Sequence, residues 1–274
     1  MLAGPRRWLW AAAWPVRAYV KWFPVQRGKG VLQRRVLFPI LGNHATFEAE
    51  LPPRGRVRLN PRDAIGWTWL IHGAFESAEL HLAGRLARQG GWVLDVGGNV
   101  GVFSVAVGQC LAPGARMITF EPVPGNVARL RDNLARSGVR DVEIVQVAAA
   151  ARAGEADLLS ASDSAYSGLV ESADTGDRRG MVVRVPLATI DSVWAGFGSP
   201  PVSLMKLDIE GGELEALRGA LRLLGQCRPV LIVEAPSPEQ LERLQSLLAP
   251  LGYVSGQPAG FEPWNYVFRA RGAA

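Results

Sequence analysis

A glycine-rich turn is the first feature of the chain whose residue types and spacing could serve chemistry. Residues 93–101 read VLDVGGNVG, so an apolar stretch gives way to glycines. Glycine lets a backbone approach a ligand closely and adopt dihedral angles that other residues disfavour. A helix that begins after such a turn offers N–H groups without intrahelical partners. The pattern predicts a site for a nucleotide-like ligand, formed by Asp95, Gly97, Asn99 and Gly101.

An acidic residue follows the next apolar stretch, in the segment Phe120-Glu121-Pro122. A carboxylate at such a strand end can accept hydrogen bonds from the ribose hydroxyls of a nucleoside cofactor. A dinucleotide site also needs a glycine where this chain has Asn99, because the pyrophosphate lies against that position. S-adenosylmethionine has no pyrophosphate, so the sequence favours it over NAD.

A rare lysine and several acids form the next group, in residues 206–213 (KLDIEGGE). Lys206 is one of three lysines in a chain with 27 arginines. An extended backbone points alternate side chains the same way, so Lys206, Asp208 and Glu210 are expected on one side. A cation beside two acids at a strand end indicates a coupled, buried network. Glu213 is expected to cap the following helix.

A further acid, Glu234, ends the apolar segment 230–234. Ligands of such sheets bind beyond the carboxyl ends of the strands, so Glu234 is expected at the same rim as Asp208. Two carboxylates there can bind a divalent cation together with a substrate oxygen. They can equally orient a hydroxyl without a metal, and the sequence leaves both alternatives open.

Short apolar strands that alternate with helices place these residues. The predicted strands cover residues 92–96, 117–120, 142–148, 202–207 and 229–233, and the predicted helices cover 66–88, 101–111, 127–137, 212–224 and 238–248. Such βα units form a parallel sheet with helices on its faces, so the expected fold class is α/β. Residues 154–190 predict a β-rich insertion near the site. Residues 252–255 and 266–269 predict a terminal hairpin that adds an antiparallel edge.

Positive charge is concentrated at the beginning of the 274-residue chain. Residues 1–60 contain eleven Lys and Arg against two Glu, which leaves the rest of this chain of net charge +5 at about −4. A nucleic-acid groove would be basic, so this distribution argues against a nucleic-acid partner. We expect a basic, aromatic-rich extension over 1–60 and a catalytic domain over 61–274.

Aromatic residues crowd positions 8–23, but Pro15, Arg17 and Lys21 interrupt this stretch. It therefore predicts neither a transmembrane helix nor a signal peptide. It predicts a helix that packs on the domain or on a partner subunit, or a segment that lies on a membrane surface. The two cysteines are too few for a disulfide scaffold or a cysteine zinc site. We expect a cytoplasmic protein, peripheral at the membrane in the second case.

At these motifs the chain resembles the FkbM family of methyltransferases. Residues 95–101 match the family's Asp-Val-Gly-Ala-Asn-Ile-Gly, with Gly98 and Val100 as departures. Residues 206–213 match its Lys-Ile-Asp-Val-Glu-Gly-Ala-Glu with mild variants. The other matching residues are Gly73–Glu76, Phe120–Pro122, Asn126, Leu130, Asn133 and Thr189–Asp191. The resemblance covers roughly residues 60–235, in order.

The resemblance implies a Rossmann-like class I methyltransferase fold, S-adenosylmethionine as donor, and O-methylation of a hydroxyl. The implied acceptor is a sugar or a secondary metabolite. On this basis we hypothesise that Asp208 is the general base or a metal ligand, tuned by Lys206 and Glu210. Glu234 is expected to orient the acceptor, and Glu76 is expected to reach the cofactor from the preceding helix.

Two other functional classes stay open. An NAD-dependent oxidoreductase would use the same fold, although Asn99 disfavours it. A non-catalytic binding protein would use the basic extension to reach a membrane or a partner. His44, His72 and His81 are weaker candidates for a catalytic base, because each is more easily explained as a surface or packing histidine.

Overall fold

The computed structural model describes residues 46–272, apart from Pro53, Arg62, 162–166 and 170–179, together with Ala18. The rest of the aromatic segment 8–23, and His44, lie outside the described residues. Within the described part of the chain, no helix has the length and apolar character needed to cross a membrane. The cytoplasmic location and the membrane or subunit contact of residues 1–60 stay predictions.

The secondary structure alternates between strands and helices for most of the described chain. In chain order the elements are β1 (Phe47–Glu50), β2 (Arg56–Leu59), α1 (Ala64–His72), α2 (Ser77–Ala87), β3 (Trp92–Val96), α3 (Val102–Gly108), β4 (Met117–Phe120), α4 (Pro124–Arg136), β5 (Val142–Val145), β6 (Ala148–Ala149), β7 (Gly154–Ala161), β8 (Ser167–Leu169), β9 (Gly180–Ala188), α5 (Ile190–Gly196), β10 (Val202–Leu207), α6 (Glu213–Arg218), α7 (Leu221–Cys227), β11 (Val230–Glu234), α8 (Pro238–Leu248), β12 (Tyr253–Gly256) and β13 (Asn265–Ala270).

Seven strands form the central sheet, in the order β5-β4-β3-β10-β11-β13-β12. Five neighbouring strands of this sheet, β5, β4, β3, β10 and β11, are parallel. β13 is antiparallel to both β11 and β12, which confirms the predicted antiparallel edge. The chain order reverses between β3 and β10, and open α/β sheets bind ligands at such a switch point. The predicted α/β class is confirmed.

Hydrophobic side chains cover both faces of this sheet. Val93 and Met117 belong to the core on one face, and their neighbours Leu94 and Ile118 belong to the core on the other. All four side chains are fully buried. Strands buried on both faces need nearly continuous apolar sequence, which is why β3 and β4 could be located from the sequence.

The helix predicted over 66–88 is wrong as a single element. Gly73 ends α1 in the left-handed region with φ of 73°, and Glu76 precedes α2 with φ of 44°. The helix predicted over 212–224 also divides, into α6 and α7. Its break falls at Gly219, where a Cβ would lie 2.2 Å from the carbonyl oxygen of Ala150. In both places the backbone conformation, rather than the apolar pattern, sets the boundary.

The predicted β-rich insertion is a second sheet with the order β6-β9-β7-β8. β9 pairs with β7 in antiparallel fashion along the whole of β7. Leu158 and Val185 from these strands pack with Val123, two residues after Glu121. The insertion therefore lies beside the end of β4, as expected.

The hairpin β1–β2 packs on the same core as the rest of the fold. Phe47 and Leu59 are buried in the core that also contains Val93. The backbone N–H of Arg58 donates to Oδ1 of Asn133 in α4, at 2.7 Å. We therefore propose that the domain begins at or before residue 46, in place of the boundary predicted at residue 60.

Glycines let the turn after β3 pack directly against the loop after β10. Gly97 has φ of 100°, and a Cβ there would lie 1.9 Å from the carbonyl oxygen of Asp208. A Cβ on Gly101 would lie 2.5 Å from Cδ1 of Leu130. The sequence suggested that these glycines admit a ligand. The structure shows that a backbone contact already requires Gly97 and that the φ of 91° favours glycine at Gly101.

Substitution of Gly97 by alanine is expected to destabilise the fold. The new Cβ would collide with the Asp208 carbonyl at a positive φ, so we expect a loss of about 3 kcal/mol or more in the free energy of unfolding. Chemical denaturation measures it. Gly125→Ala is the control, because a Cβ at Gly125 meets nothing within 4 Å. Equal stability of the two variants would contradict the close contact.

Candidate functional site

A cavity of about 930 Å³ lies at the carboxyl ends of four central strands. A predicted site residue lines the cavity at the end of each of these strands. These residues are Gly97 after β3, Glu121 after β4, Asp208 after β10 and Glu234 at the end of β11. Because the four strands are parallel, residues that are far apart in the chain lie at the same edge of the sheet. We call this space the central cavity.

Glu121 is buried at one end of the central cavity and holds the glycine turn. Its Oε2 accepts the backbone N–H of Asn99 at 2.8 Å. Its Oε1 accepts the backbone N–H of Val123 at 2.9 Å and the side-chain amide of Asn126 at 3.2 Å. Burial outweighs these hydrogen bonds and raises the pKa of Glu121 to about 7.

Asn99 occupies the middle position of the turn with φ of 46°, in the left-handed region. Asparagine tolerates this conformation better than most residues with a side chain. Asn99 also lines the central cavity. The sequence identified the residue as a departure from the dinucleotide pattern, and the structure adds that its N–H joins the β3 turn to the carboxylate at the end of β4.

Asp95 lies beneath the central cavity and does not line it. It is fully buried, and its Oδ2 accepts the hydroxyl of Ser104 at 2.5 Å. Burial raises the pKa of Asp95 to about 6, although Lys206 and Ser104 oppose the shift. Gly101, the residue before α3, is also absent from the lining. Both residues therefore support the turn from below.

Lys206 forms a buried ion-pair network with two carboxylates. Its Nζ donates to Oε2 of Glu76 and to Oδ2 of Asp208, both at 2.9 Å. Its side chain is only 6% exposed. Burial by itself lowers the pKa of Lys206, but the surrounding carboxylates outweigh this effect and raise it well above the ordinary value. The lysine is therefore a permanent cation.

Glu76 contacts the protein with both of its carboxylate oxygens. Oε2 accepts from Lys206, and Oε1 accepts from the side-chain amide of Asn265 at 3.2 Å. Burial raises the pKa of Glu76, and Lys206 opposes that shift. Glu76 lines the central cavity from the segment before α2, and not from within a helix as the sequence predicted. Contact with the cofactor stays a prediction.

The extended backbone expected through Glu210 ends earlier. β10 ends at Leu207, and Glu210 has φ of 56° in a left-handed turn. Oε1 of Glu213 accepts the backbone N–H groups of Ile209 and Gly211, at 3.0 and 3.1 Å, and so folds this loop. The alternation argument was therefore wrong for Glu210. The turn still leaves Glu210 in the lining of the central cavity.

Asp208, Glu210 and Glu234 converge in the central cavity. Each offers a carboxylate oxygen, and these oxygens all lie within 4.8 Å of one another. A group of this kind could hold a divalent cation or orient a hydroxyl, the same two alternatives that the sequence leaves open. Burial, followed by repulsion from neighbouring carboxylates, raises the pKa of Glu234 to about 9.

The sequence analysis missed one wall of the central cavity, formed by Gly260, Glu262 and Trp264. These residues lie between the two strands of the predicted terminal hairpin. A long connection with two aromatic residues, Phe261 and Trp264, was a signal in the sequence that the segment is unusual, but it did not indicate a position at the cavity. Of the candidate histidines, His72 is exposed and lines the cavity, whereas His81 is exposed and does not line it.

Known proteins match the part of the chain that contains these motifs. The family model described as the methyltransferase FkbM domain matches residues 95–255. AMB antimetabolite synthetase AmbE of Pseudomonas aeruginosa is 27% identical in an alignment of 160 residues that covers 46% of this chain. The chain spans only 7% of the length of that relative.

Two solved methyltransferase structures are similar to part of the chain. Methyltransferase FkbM from Methylobacillus flagellatus matches with a TM-score of 0.48 and 18% identity, over 66% of this chain and 43% of that one. O-methyltransferase TomG from Streptomyces achromogenes, solved in complex with SAM, matches with a TM-score of 0.45 and 18% identity, over 73% and 82%.

The family model covers more than half of the chain, including the glycine turn, Glu121, Asp208, Glu210 and Glu234. This match confirms the resemblance drawn from the motifs, together with S-adenosylmethionine as the cofactor. The chain belongs to the FkbM family of S-adenosylmethionine-dependent methyltransferases.

Proposed function

We propose that this methyltransferase methylates a hydroxyl of a small-molecule acceptor, with Asp208 as the group that receives the hydroxyl proton. The observation that carries the proposal is the shared cavity. Glu121 at one strand end and the carboxylates of Asp208, Glu210 and Glu234 at two others line the same space. A cofactor and an acceptor bound there would meet between them.

The residues at the β3 and β4 ends fit S-adenosylmethionine. Glu121 accepts three hydrogen bonds from the protein. An ionised carboxylate offers about four acceptor sites, so capacity remains for a ribose hydroxyl. Ligand pockets range over roughly 300–1,000 Å³, and at about 930 Å³ the central cavity lies near the upper end of that range. This size supports two ligands rather than one.

We assign the methionine part of the cofactor to Gly97 and Asn99, which line the cavity. Asp95 and Gly101 hold the turn from beneath. S-adenosylmethionine supplies a methyl group on a positively charged sulfur, and the carboxylate-rich cavity suits that charge. Glu76 contributes negative charge, although Lys206 and Asn265 already bind both of its oxygens.

Asp208 is suited to proton transfer by its position. Lys206 holds its Oδ2, and no described residue donates to its Oδ1. Its side chain is 25% exposed, so a ligand in the cavity can reach it. Bound S-adenosylmethionine would supply the methyl carbon to the acceptor oxygen, and its sulfur would keep the electron pair of the carbon–sulfur bond. The hydroxyl proton passes to Asp208, which completes the balance.

Glu234 is suited to a different task. A pKa of about 9 keeps its carboxyl group largely protonated at neutral pH. A neutral carboxyl group donates one hydrogen bond and still accepts others. We propose that Glu234 orients the acceptor oxygen in this way, while Glu210 adds negative charge beside Asp208. A divalent cation on the three carboxylates is the alternative arrangement.

The two other functional classes have less support. Family membership and the Asn99 side chain in the cavity count against an NAD-dependent oxidoreductase. A binding protein without catalysis would show cofactor affinity without turnover. Calorimetry with S-adenosylhomocysteine and with NAD, followed by a turnover assay with labelled S-adenosylmethionine and a metabolite extract, separates the three. Heat release with NAD alone would contradict the proposal.

Glu121→Gln is expected to weaken S-adenosylhomocysteine binding about tenfold, because a charged hydrogen-bond acceptor is lost. The pKa of Glu121 near 7 adds a pH dependence. The ionised carboxylate is the better acceptor, so wild-type affinity should rise from pH 6 to pH 8, and the variant should lack this rise. Calorimetry measures both. Glu155→Gln, on the exposed second sheet, is the control, and a loss of affinity equal to that of Glu121→Gln would refute the assignment.

Asp208→Asn is expected to lower kcat by about 10²- to 10⁴-fold, the usual contribution of a positioned base. Affinity for S-adenosylhomocysteine should change little. Turnover is measured once with EDTA and once with added Mg²⁺. Activity in EDTA supports the metal-free arrangement, whereas activity only with Mg²⁺ assigns the carboxylates to a cation. Full turnover by Asp208→Asn in both buffers would exclude Asp208 as the proton acceptor.

Glu234→Gln is expected to flatten the dependence of stability on pH. The folded state raises the pKa of Glu234 from 4.5 to about 9, so ionisation opposes folding and wild-type stability falls as pH rises between these values. Gln cannot ionise, so the variant should have a higher Tm than the wild type at pH 8. Each kcal/mol gained in the free energy of unfolding raises Tm by about 3 °C. Thermal unfolding in EDTA measures this, with the exposed Glu242→Gln as control. Parallel wild-type and Glu234→Gln curves would contradict the raised pKa.

A further inference from the structure

The connection between β12 and β13, residues 257–264, forms a wall of the central cavity through Gly260, Glu262 and Trp264. Trp264 is 42% exposed, which is unusual for so large an apolar side chain. Among the described residues it is the one exposed large hydrophobic side chain that lines the cavity. We call this connection the 257–264 loop.

Glu79 in α2 fixes the position of the 257–264 loop. Its Oε1 accepts the backbone N–H of Glu262 at 2.7 Å and the side-chain amide of Asn265 at 3.1 Å. Glu79 is fully buried, and its Oε2 has no hydrogen-bond partner within the described structure. A buried, partly unsatisfied carboxylate is costly. The hydrogen bonds of Glu79 to Glu262 and Asn265 hold the 257–264 loop in place, which gives this costly residue a structural role.

Hydrogen bonds also join the 257–264 loop to the end of β11 and join residues within the loop. The backbone N–H of Ala235, next to Glu234, donates to the carbonyl oxygen of Trp264 at 2.7 Å. The side-chain amide of Gln257 donates to the carbonyl oxygens of Glu262 and Pro263, at 3.3 and 2.7 Å. These contacts give Trp264 and Glu262 a fixed location relative to Glu234.

The lining of the central cavity is strongly acidic. Six of its residues carry a carboxyl group, namely Glu76, Glu121, Asp208, Glu210, Glu234 and Glu262. Lys206 is the one Lys or Arg side chain in the described lining, and two carboxylates already pair with it. Among these described residues, an anionic acceptor would therefore find no unpaired Lys or Arg and would meet repulsion. An acceptor with ammonium or hydroxyl donors would find many acceptors.

We propose that Glu262 and Trp264 form an acceptor subsite for a hydroxylated ring that bears an ammonium group, such as an amino sugar or aminocyclitol. This inference rests on the proposed methyl transfer to a hydroxyl in the same cavity. The indole ring offers an apolar face to the ring carbons and attracts a nearby cation. Glu262 accepts hydrogen bonds from the ammonium or hydroxyl groups. Glu79 is a positioning residue, since it acts through the loop.

Three probes with the same ring test the charge preference: a methyl glucosaminide, the matching methyl glucoside and glucose 6-phosphate. Saturation-transfer NMR with the S-adenosylhomocysteine complex of the full chain measures their binding. We expect affinity to fall in that order, with about tenfold or more between the first and the last. Equal or stronger binding of the phosphate would overturn the proposal, and so would the absence of binding by all three.

Substitutions in the loop test the residues. Trp264→Ala and Glu262→Gln should weaken glucosaminide binding about tenfold, and Trp264→Phe should retain most of it. Val254→Ala removes another exposed apolar side chain from the same hairpin and serves as the matched control. Unchanged glucosaminide binding by both Trp264→Ala and Glu262→Gln would overturn the subsite.

Glu79→Ala should weaken the same probe, and Glu79→Gln should restore it, because Gln keeps an oxygen that accepts from the loop. A merely structural role would lower the Tm of Glu79→Ala without this rescue of binding. S-adenosylhomocysteine affinity is measured for every variant. If the wild type does not bind S-adenosylhomocysteine, the proposed function is contradicted. If the wild type binds it normally and the loop variants do not change glucosaminide binding, only the subsite is contradicted.

Discussion

The buried ammonium group of Lys206 is the interaction on which the site depends. It joins the segment before α2 to the end of β10 through Glu76 and Asp208, each at 2.9 Å. Loss of the lysine would leave the buried carboxylate of Glu76 beside the partly exposed one of Asp208, and breaking a buried ion pair commonly costs about 3–5 kcal/mol. Asn265 extends the network from Glu76 to the terminal hairpin. One cation therefore aligns three elements that are far apart in the chain.

Burial places several carboxyl groups in and beside the central cavity where their ionised forms are unfavourable. The pKa values of Asp95, Glu121 and Glu234 are all raised, chiefly because burial disfavours their ionised forms. Such groups lower the stability of the empty protein at neutral pH. Sites adapted to a positively charged ligand often carry this cost, since ligand binding offsets it. The surrounding apolar cores supply the stability that the site itself removes.

Much of this site could be predicted because strands buried on both faces have a clear sequence signature. The bounds of β3, β4 and β10 agree with the sequence pattern, and so do the acids that follow β4 and β10. The break at Gly73, the left-handed turn at Glu210 and the 257–264 loop could not be predicted. Each depends on local backbone dihedral angles or on contacts between distant segments, such as that of Glu79 with Glu262, which periodicity does not encode.

The approach of Gly97 to the Asp208 carbonyl has a consequence for how the family can vary. No space for even one methyl group separates the cofactor turn from the loop that carries the proposed base. The spacing between the cofactor turn and the residue that carries the proposed base is therefore set by two backbones in contact, which side-chain changes elsewhere cannot adjust. New acceptor specificity is then expected to arise from changes in the outer walls of the cavity, while this backbone spacing stays constant.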